Sequence, residues 1–218
     1  KRIRHNNNNT TCSFMKKEIK LIKIKRIRWS PEIEVELPKN TDAEKLIRRN
    51  RSLQGWEISD DGSLDNGLEL KPKKSNKLYY NEESLLQLRE ILALLKVHRA
   101  RVNNKCGLHL HIDCSTFDDR EVLQLVKEFI HRQRFFVKRF KINQERIEHY
   151  CNLIPRSNLH KLTIKDIHKF RNNSSDWGFG HVGGASGCFY LDEKYHAMNA
   201  SHLRKGDFNT LEFRLYTA

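Results

Sequence analysis

Polar and apolar positions alternate with a period of two near the front of the chain and again at its end, and between these stretches the period lengthens to that of a helix. Ile33, Val35 and Leu37 alternate with Glu32, Glu34 and Glu36, which predicts strand over 19–37, as one strand or as two broken near Ser30-Pro31. Residues 55–59 and 67–71 read as short strands about the turn Asp60-Asp61-Gly62-Ser63, a hairpin. A helix follows over 82–98, capped by Asn81, with Leu85, Leu88, Leu92 and Leu95 as its apolar stripe. Cys106 to Asp113 reads as a strand. A second helix runs from Asp118 to Phe135 and buries Val122, Leu125, Val126, Phe129 and Ile130. Shorter helices are expected over 144–151 and 164–170, the latter capped by Thr163 with Asp166 three residues on. Residues 172–188, rich in Asn, Ser and Gly, read as a loop, and Thr210 to Tyr216 as a closing strand. Gly183, Gly184 and Gly187 would let backbone approach a ligand, and would equally serve a plain surface loop. Without regular βαβ alternation the expected class is α+β, a curved and largely antiparallel sheet with helices on one face.

Length changes little: 218 residues hold one domain, expected over 29–218, behind an arm over 1–28. Charge changes more. The net +14 is concentrated in residues 1–28, where ten Lys/Arg face one acid, Glu18, so that +9 sits in the arm and +5 in the rest. Such an arm suits contact with polyanions; it reads equally as a solvated tail leading into a lysine-blunted edge strand. Asn6 to Asn9 lie in a flexible lead-in. No apolar run approaches the roughly 20 residues of a membrane helix, and the basic start has no apolar core of a signal peptide. The chain begins with Lys1 rather than Met, as a fragment or a processed chain would. Five widely spaced cysteines without a CxxC pair fit reduced thiols and a cytoplasmic setting.

Chemistry enters with Gly107-Leu-His109-Leu-His111-Ile-Asp113. On a strand His109, His111 and Asp113 share one face, and Leu108, Leu110 and Ile112 the other. Two imidazoles in one cavity can ligate metal or donate to phosphate, or can simply be surface histidines. A zinc quartet with Cys106 and Cys114 fails on parity, since both cysteines point away from the histidines. Glu32, Glu34 and Glu36 are hard oxygen donors suited to Mg²⁺ or Mn²⁺, or else a solvated face balanced by lysines. Glu69 points away from Leu68 and Leu70. In the last strand Glu212 and Arg214 lie opposite Leu211, Phe213 and Leu215, as an ordinary ion pair or as a metal ligand beside a phosphate clamp. Four strands thus each turn acid, His or Arg residues to one face, a floor able to hold divalent ions and a nucleotide polyphosphate.

From Trp29 to Thr217 these stretches resemble the amidoligase family, whose domain is similar to glutamine synthetase and glutamate–cysteine ligase. The resemblance rests on Glu32-Ile-Glu34, on Trp56 to Pro72 with Asp61-Gly62-Ser63 and Gly67-Leu68-Glu69, on Cys106-Gly-Leu-His-Leu-His111, on Tyr195 to Asn199 and on Leu211-Glu-Phe-Arg214. It implies a glutamine synthetase-like catalytic domain with the site on the concave face of the sheet. Glu32, Glu34, Glu69, His109 and Glu212 are then metal ligands. His109, His111 and Arg214 are counted as catalytic, and Arg214, His111 and Lys71 as contacts to ATP. The implied reaction transfers the γ-phosphoryl group of ATP, with Mg²⁺ or Mn²⁺, to a carboxylate of an amino acid or peptide; an amine then attacks the acyl phosphate. Pro31 and Lys71 depart from the family pattern, which has small or uncharged residues there. Related domains commonly continue beyond the position of Arg214, so the domain is expected to be truncated at its C-terminus. Arg146 and Tyr150 weakly echo a further family stretch that would reach substrate, but are read in preference as ordinary helix residues. Two other readings stand beside the ligase: a basic nucleic-acid-binding protein driven by residues 1–28, and an inactive relative that binds nucleotide without turnover.

Overall fold

The computed structural model describes residues 27–39, 41, 55–73, 78–79, 81–172, 181–182, 189–190, 196–203 and 209–217. Most of the basic arm and the glycines at 183, 184 and 187 therefore lie outside the described residues. The chain forms strands β1 (Arg28–Glu36), β2 (Trp56–Asp61), β3 (Gly67–Pro72) and β4 (Leu78–Tyr79), then helix α1 (Glu82–Val97) and strand β5 (Gly107–Asp113). Helices α2 (Asp119–Phe140) and α3 (Gln144–His149), a 3₁₀ turn (Arg156–Lys161) and α4 (Ile164–Asn172) follow, and strands β6 (His181–Val182), β7 (Phe189–Tyr190), β8 (Met198–Asn199) and β9 (Thr210–Thr217) complete the order.

Among the described residues the main sheet is open and antiparallel throughout, in the order β2-β3-β1-β5-β9-β8, with β4 pairing the start of β1. The class is α+β, as the mixed periods imply. β1 runs unbroken through Ser30-Pro31, contrary to the expected interruption. On one edge β1 pairs β4 at Arg28 and Trp29 and β3 from Ile33 onward, so Pro31 falls in the gap, where the missing N–H costs no bond to either strand.

The apolar residues of β1, β3, β5 and β9 turn to the helices. Ile33, Val35, Leu68 and Leu70 pack with Ile91 and Leu95 of α1, while Leu211, Phe213 and Leu215 pack with Val122, Val126, Phe129 and Ile130 of α2. Leu110 and Ile112 of β5 touch both groups and join them into one core behind the sheet. Truncating a fully buried member such as Leu70 to Ala would cost about 2–5 kcal/mol.

Caps follow the sequence closely. Asn81 accepts from the Ser84 N–H at 2.8 Å, and Asp118 and Glu121 form a reciprocal capping box on α2. At α4 the Asp166 carboxylate takes both the Thr163 N–H (2.7 Å) and its hydroxyl (2.6 Å). Two helix readings change. The stripe of α1 is buried through Ile91 rather than Leu92, which is 48% exposed, and α2 runs a full turn past Phe135 before the left-handed Lys141 stops it.

Candidate active site on the open sheet face

With the aliphatic side chains committed to the core, alternation delivers the acids and imidazoles of β1, β5 and β9 to the other face. Strand order then makes them neighbours: β3, β1, β5 and β9 are consecutive in the sheet, and the register sets Glu69 opposite Glu34, Glu32 opposite His109, and His111 opposite Glu212. Four segments far apart in sequence become one polar row.

His109 is the hub. It is 1% exposed, with Nδ1 at 3.1 Å from Glu32 Oε1 and 3.5 Å from Glu212 Oε1, and Nε2 at 3.6 Å from Glu34 Oε1. His111 Nε2 reaches the other Glu32 oxygen at 3.2 Å, while its Nδ1 lies 3.4 Å from the Thr210 hydroxyl. Two groups of ligand atoms result, Glu32–Glu34–His109 and Glu32–His111–Glu212, and Glu32 belongs to both. Glu36 belongs to neither; its carboxylate accepts from Asn103 at the end of β1.

Electrostatics separate the carboxylates. Burial pushes Glu32 up, but hydrogen bonds and charge from His109 and His111 outweigh it and leave the carboxyl below its usual range. Glu34 goes the other way: burial dominates over His109, the Gly107 N–H bond at 2.6 Å and Arg146, so its carboxyl is raised. A raised carboxyl among further acids is an anion short of positive charge. Carboxylate oxygens and imidazole nitrogens within a few ångströms of one another fit a divalent cation of the Mg²⁺ or Mn²⁺ kind.

Arg214 donates to Glu212 through Nη1, and its Nε has no partner among the described residues. Glu69 and Lys71 are placed differently from the other predicted residues. Glu69 shares the face but is held by Lys71 Nζ at 2.8 Å and joins neither ligand group. That bond raises the Lys71 ammonium above its usual range against the lowering effect of burial. Asp113, on the same face by parity, is occupied at the far end of β5 by Arg28 at 2.7 Å.

Three residues outside the predicted ligand set also shape the site. Asn199 on β8 is buried, donates to Glu212 Oε2 at 3.0 Å and accepts from the Ser201 N–H at 2.9 Å, which fixes the carboxylate; a two-residue strand carries no period to find it by. Gly107 matters for what it lacks, since a Cβ there would lie 2.4 Å from His109 Nε2 and 2.5 Å from Arg146 Nη2. Arg146 is 1% exposed and ties the Asn104 and Lys105 carbonyls with Nη1, both at 3.2 Å, leaving Nε without a partner among the described residues.

Tyr216 also departs from simple alternation. The β5–β9 register shifts between Leu108 and Leu110, giving β9 an extra residue. This bulge turns Tyr216 to the helix side, where its ring meets Phe140 edge-on at 5.3 Å, while Glu212 and Arg214 stay on the polar face.

The fold is an α+β domain with an open antiparallel sheet, one face of which brings together carboxylates and imidazoles beside a guanidinium, a donor set that could hold a divalent cation. The chain belongs to the family described as "Putative amidoligase enzyme", whose model matches residues 18–218, and that membership supports an enzyme of the ligase class. No curated protein and no solved structure matches the chain. Among the described residues no helix is long and apolar enough to cross a membrane.

Proposed function

We propose that the chain is an ATP-dependent carboxylate–amine ligase with a glutamine synthetase-like catalytic domain over 29–218. The observation that carries this reading is the pair of ligand groups sharing Glu32, with Arg214 alongside on an open face. Glu32, Glu34 and His109 would hold one divalent ion, and Glu32, His111 and Glu212 a second; Glu69 lies opposite Glu34 and would join by releasing Lys71. Bound there, Mg²⁺ or Mn²⁺ supplies positive charge that offsets repulsion between the polyphosphate and the two reacting anions.

In the reaction an oxygen of the substrate carboxylate forms a bond to the γ-phosphorus as the bond to the ADP oxygen breaks. The amine nitrogen then bonds to the acyl carbon, inorganic phosphate leaves, and the attacking amine gives up a proton. Arg214 contributes a guanidinium fixed by Glu212, whose Nε–H, without a partner among the described residues, suits a phosphoryl oxygen. Before an ion binds, His109 Nδ1 is positioned by Glu32 and His111 Nδ1 by the Thr210 hydroxyl. Lys71, more exposed than the rest, is the cation available to the nucleotide phosphates. Acid and amine are amino acids or peptides in this reading, and the arm over 1–28 offers contact to a polyanion.

Isothermal titration of ATP, with and without Mg²⁺ or Mn²⁺, tests the proposal against a Glu34→Ala/Glu212→Ala control. Cation-dependent binding that the double variant loses is expected, followed by ADP release in a screen of acids and amines. A folded wild-type chain that binds no ATP in the presence of either cation would sink it.

A further inference from the structure

The last three turns of α2 carry a surface that the site does not use. Phe135 is 61% exposed and Phe140 56% exposed, although a buried position would have gained each about 1.5–3 kcal/mol. Their surroundings are cationic. From His131 to Gln144 the chain has Arg132, Arg134, Lys138, Arg139 and Lys141 and no acid, and all five cations are exposed; the acid on this face is one turn earlier, where Glu128 pairs with Arg132 at 2.9 Å and would be displaced from it by a phosphate. Arg156 adds a sixth, since it is exposed and its guanidinium donates to the His131 carbonyl.

Helix geometry organises these residues around one ring. At about 100° per residue, Arg139 and Arg132 lie about 40° and 60° to one side of Phe135, and His131 and Lys138 the same angles to the other. Phe140 lies round the side of the helix, where ring contacts from Phe135 through Phe136 to Phe140 and Tyr216 tie the patch to β9. Charge decides the occupant. A second copy of this face would bring like charge against like, and the basic arm of the same chain would be repelled. A membrane-binding helix needs a broad apolar face; here the outward face has one apolar side chain between cations. One flat ring framed by guanidinium and ammonium groups matches a base that stacks while its flanking phosphates pair.

We propose that the C-terminal half of α2 is a docking surface for single-stranded nucleic acid, with Phe135 as the stacking platform and Arg132, Arg139 and Lys138 as phosphate contacts. The proposal does not depend on the ligase reading, because these side chains are remote in role from the ligand groups of the sheet. It is also distinct from any electrostatic contribution of residues 1–28, which would not favour an unpaired base.

The test is fluorescence anisotropy of a labelled 12-nucleotide single strand and of its duplex, titrated with the full chain, Phe135→Ala and Arg132→Glu/Arg139→Glu. Anionic phosphatidylserine vesicles form a parallel arm, and circular dichroism confirms each fold. Wild type is expected to prefer the single strand. Phe135→Ala should weaken that strand about 5- to 150-fold, the range for loss of one stacked base, and should abolish the preference over duplex. The double reversal should weaken both and flatten the salt dependence. Equal affinity of wild type and Phe135→Ala for the single strand, or no binding at all, overturns the proposal. So does a Phe135-dependent association with vesicles alone, which would make the surface a membrane contact.

Discussion

Gly107→Ala isolates the convergence of the site from everything else in the fold. The backbone at Gly107 lies outside the left-handed region, so alanine adopts it without strain. The added methyl is the whole perturbation. It would lie 2.4 Å from His109 Nε2, 2.5 Å from Arg146 Nη2 and 2.9 Å from Glu34 Oε2, whereas comfortable contacts begin near about 3.5 Å. His109 and Arg146 must each retreat by roughly 1 Å, and both are buried. Overpacking of this kind costs about 1–3 kcal/mol. If Glu34 also gives up the Gly107 N–H, a charged hydrogen bond worth about 1.5–3 kcal/mol is lost. The loss expected in urea unfolding is therefore about 1–3 kcal/mol if that bond survives, and about 2.5–6 kcal/mol if it does not. Divalent-cation affinity should fall about 10- to 100-fold, as when groups orienting metal ligands are displaced. Gly62→Ala is the control, because nothing lies within 4 Å of a methyl there; it should be neutral or slightly stabilising. If the two variants unfold within about 0.5 kcal/mol of each other and bind Mn²⁺ alike, the three groups do not meet at residue 107 and the reasoning fails.

Sharing of Glu32 fixes a stoichiometry: calorimetric titration with Mn²⁺ should show Glu32→Gln losing both ions, while Glu34→Gln and Glu212→Gln each lose one. Asp119→Asn should cost about 1 kcal/mol at neutral pH, discounted for partial exposure. Burial raises the Asp119 carboxyl, yet His168 and Arg171 at 2.9 Å outweigh it and hold it below the usual range. Its contribution is therefore complete above the unfolded value near about 3.9 and vanishes as pH falls through the lower folded value. Urea curves of variant and wild type should thus converge in strong acid. Burial pushes the Cys114 thiol up to about 12 and raises Cys106 and Cys151 as well; mass mapping after iodoacetamide at pH 8 should find all three unmodified in the native protein.

How much of this was legible in the sequence depends on which interaction decided each feature. Alternation alone sent Glu32, Glu34, His109, His111, Glu212 and Arg214 to one face, because a period of two leaves a strand with one apolar side no alternative. The structure brings all six together. Strand order was not legible, since β1, β5 and β9 are far apart in sequence and only tertiary pairing makes them adjacent. Glu36 follows the same parity as Glu32, yet its bond to Asn103 takes it away from the cluster, a loop contact with no local signal. Tyr216 escaped alternation through a bulge visible only in the β5–β9 register. In α1 the stripe was misread by one residue, because Ile91 and Leu92 are equally apolar and only the packing partner, Ile33 and its neighbours, selects between them.

Several carboxylates on one sheet face ought to drive each other apart, and the arrangement of imidazoles explains why they do not. His109 stands between Glu32, Glu34 and Glu212, and His111 against Glu32, so every acid of the two ligand groups has a ring nitrogen or a guanidinium within 3.6 Å. Removing one of those partners would leave a buried anion unpaired, which is costlier than the pair is stabilising. The same ring nitrogens and carboxylate oxygens are the atoms a divalent ion would use. In the proposed loaded state, bonds to the ion would take the place of these contacts between side chains. Glu34 is the exception, since burial already raises its carboxyl despite His109 and Arg146. A cation held beside it would offset the cost of burying that charge.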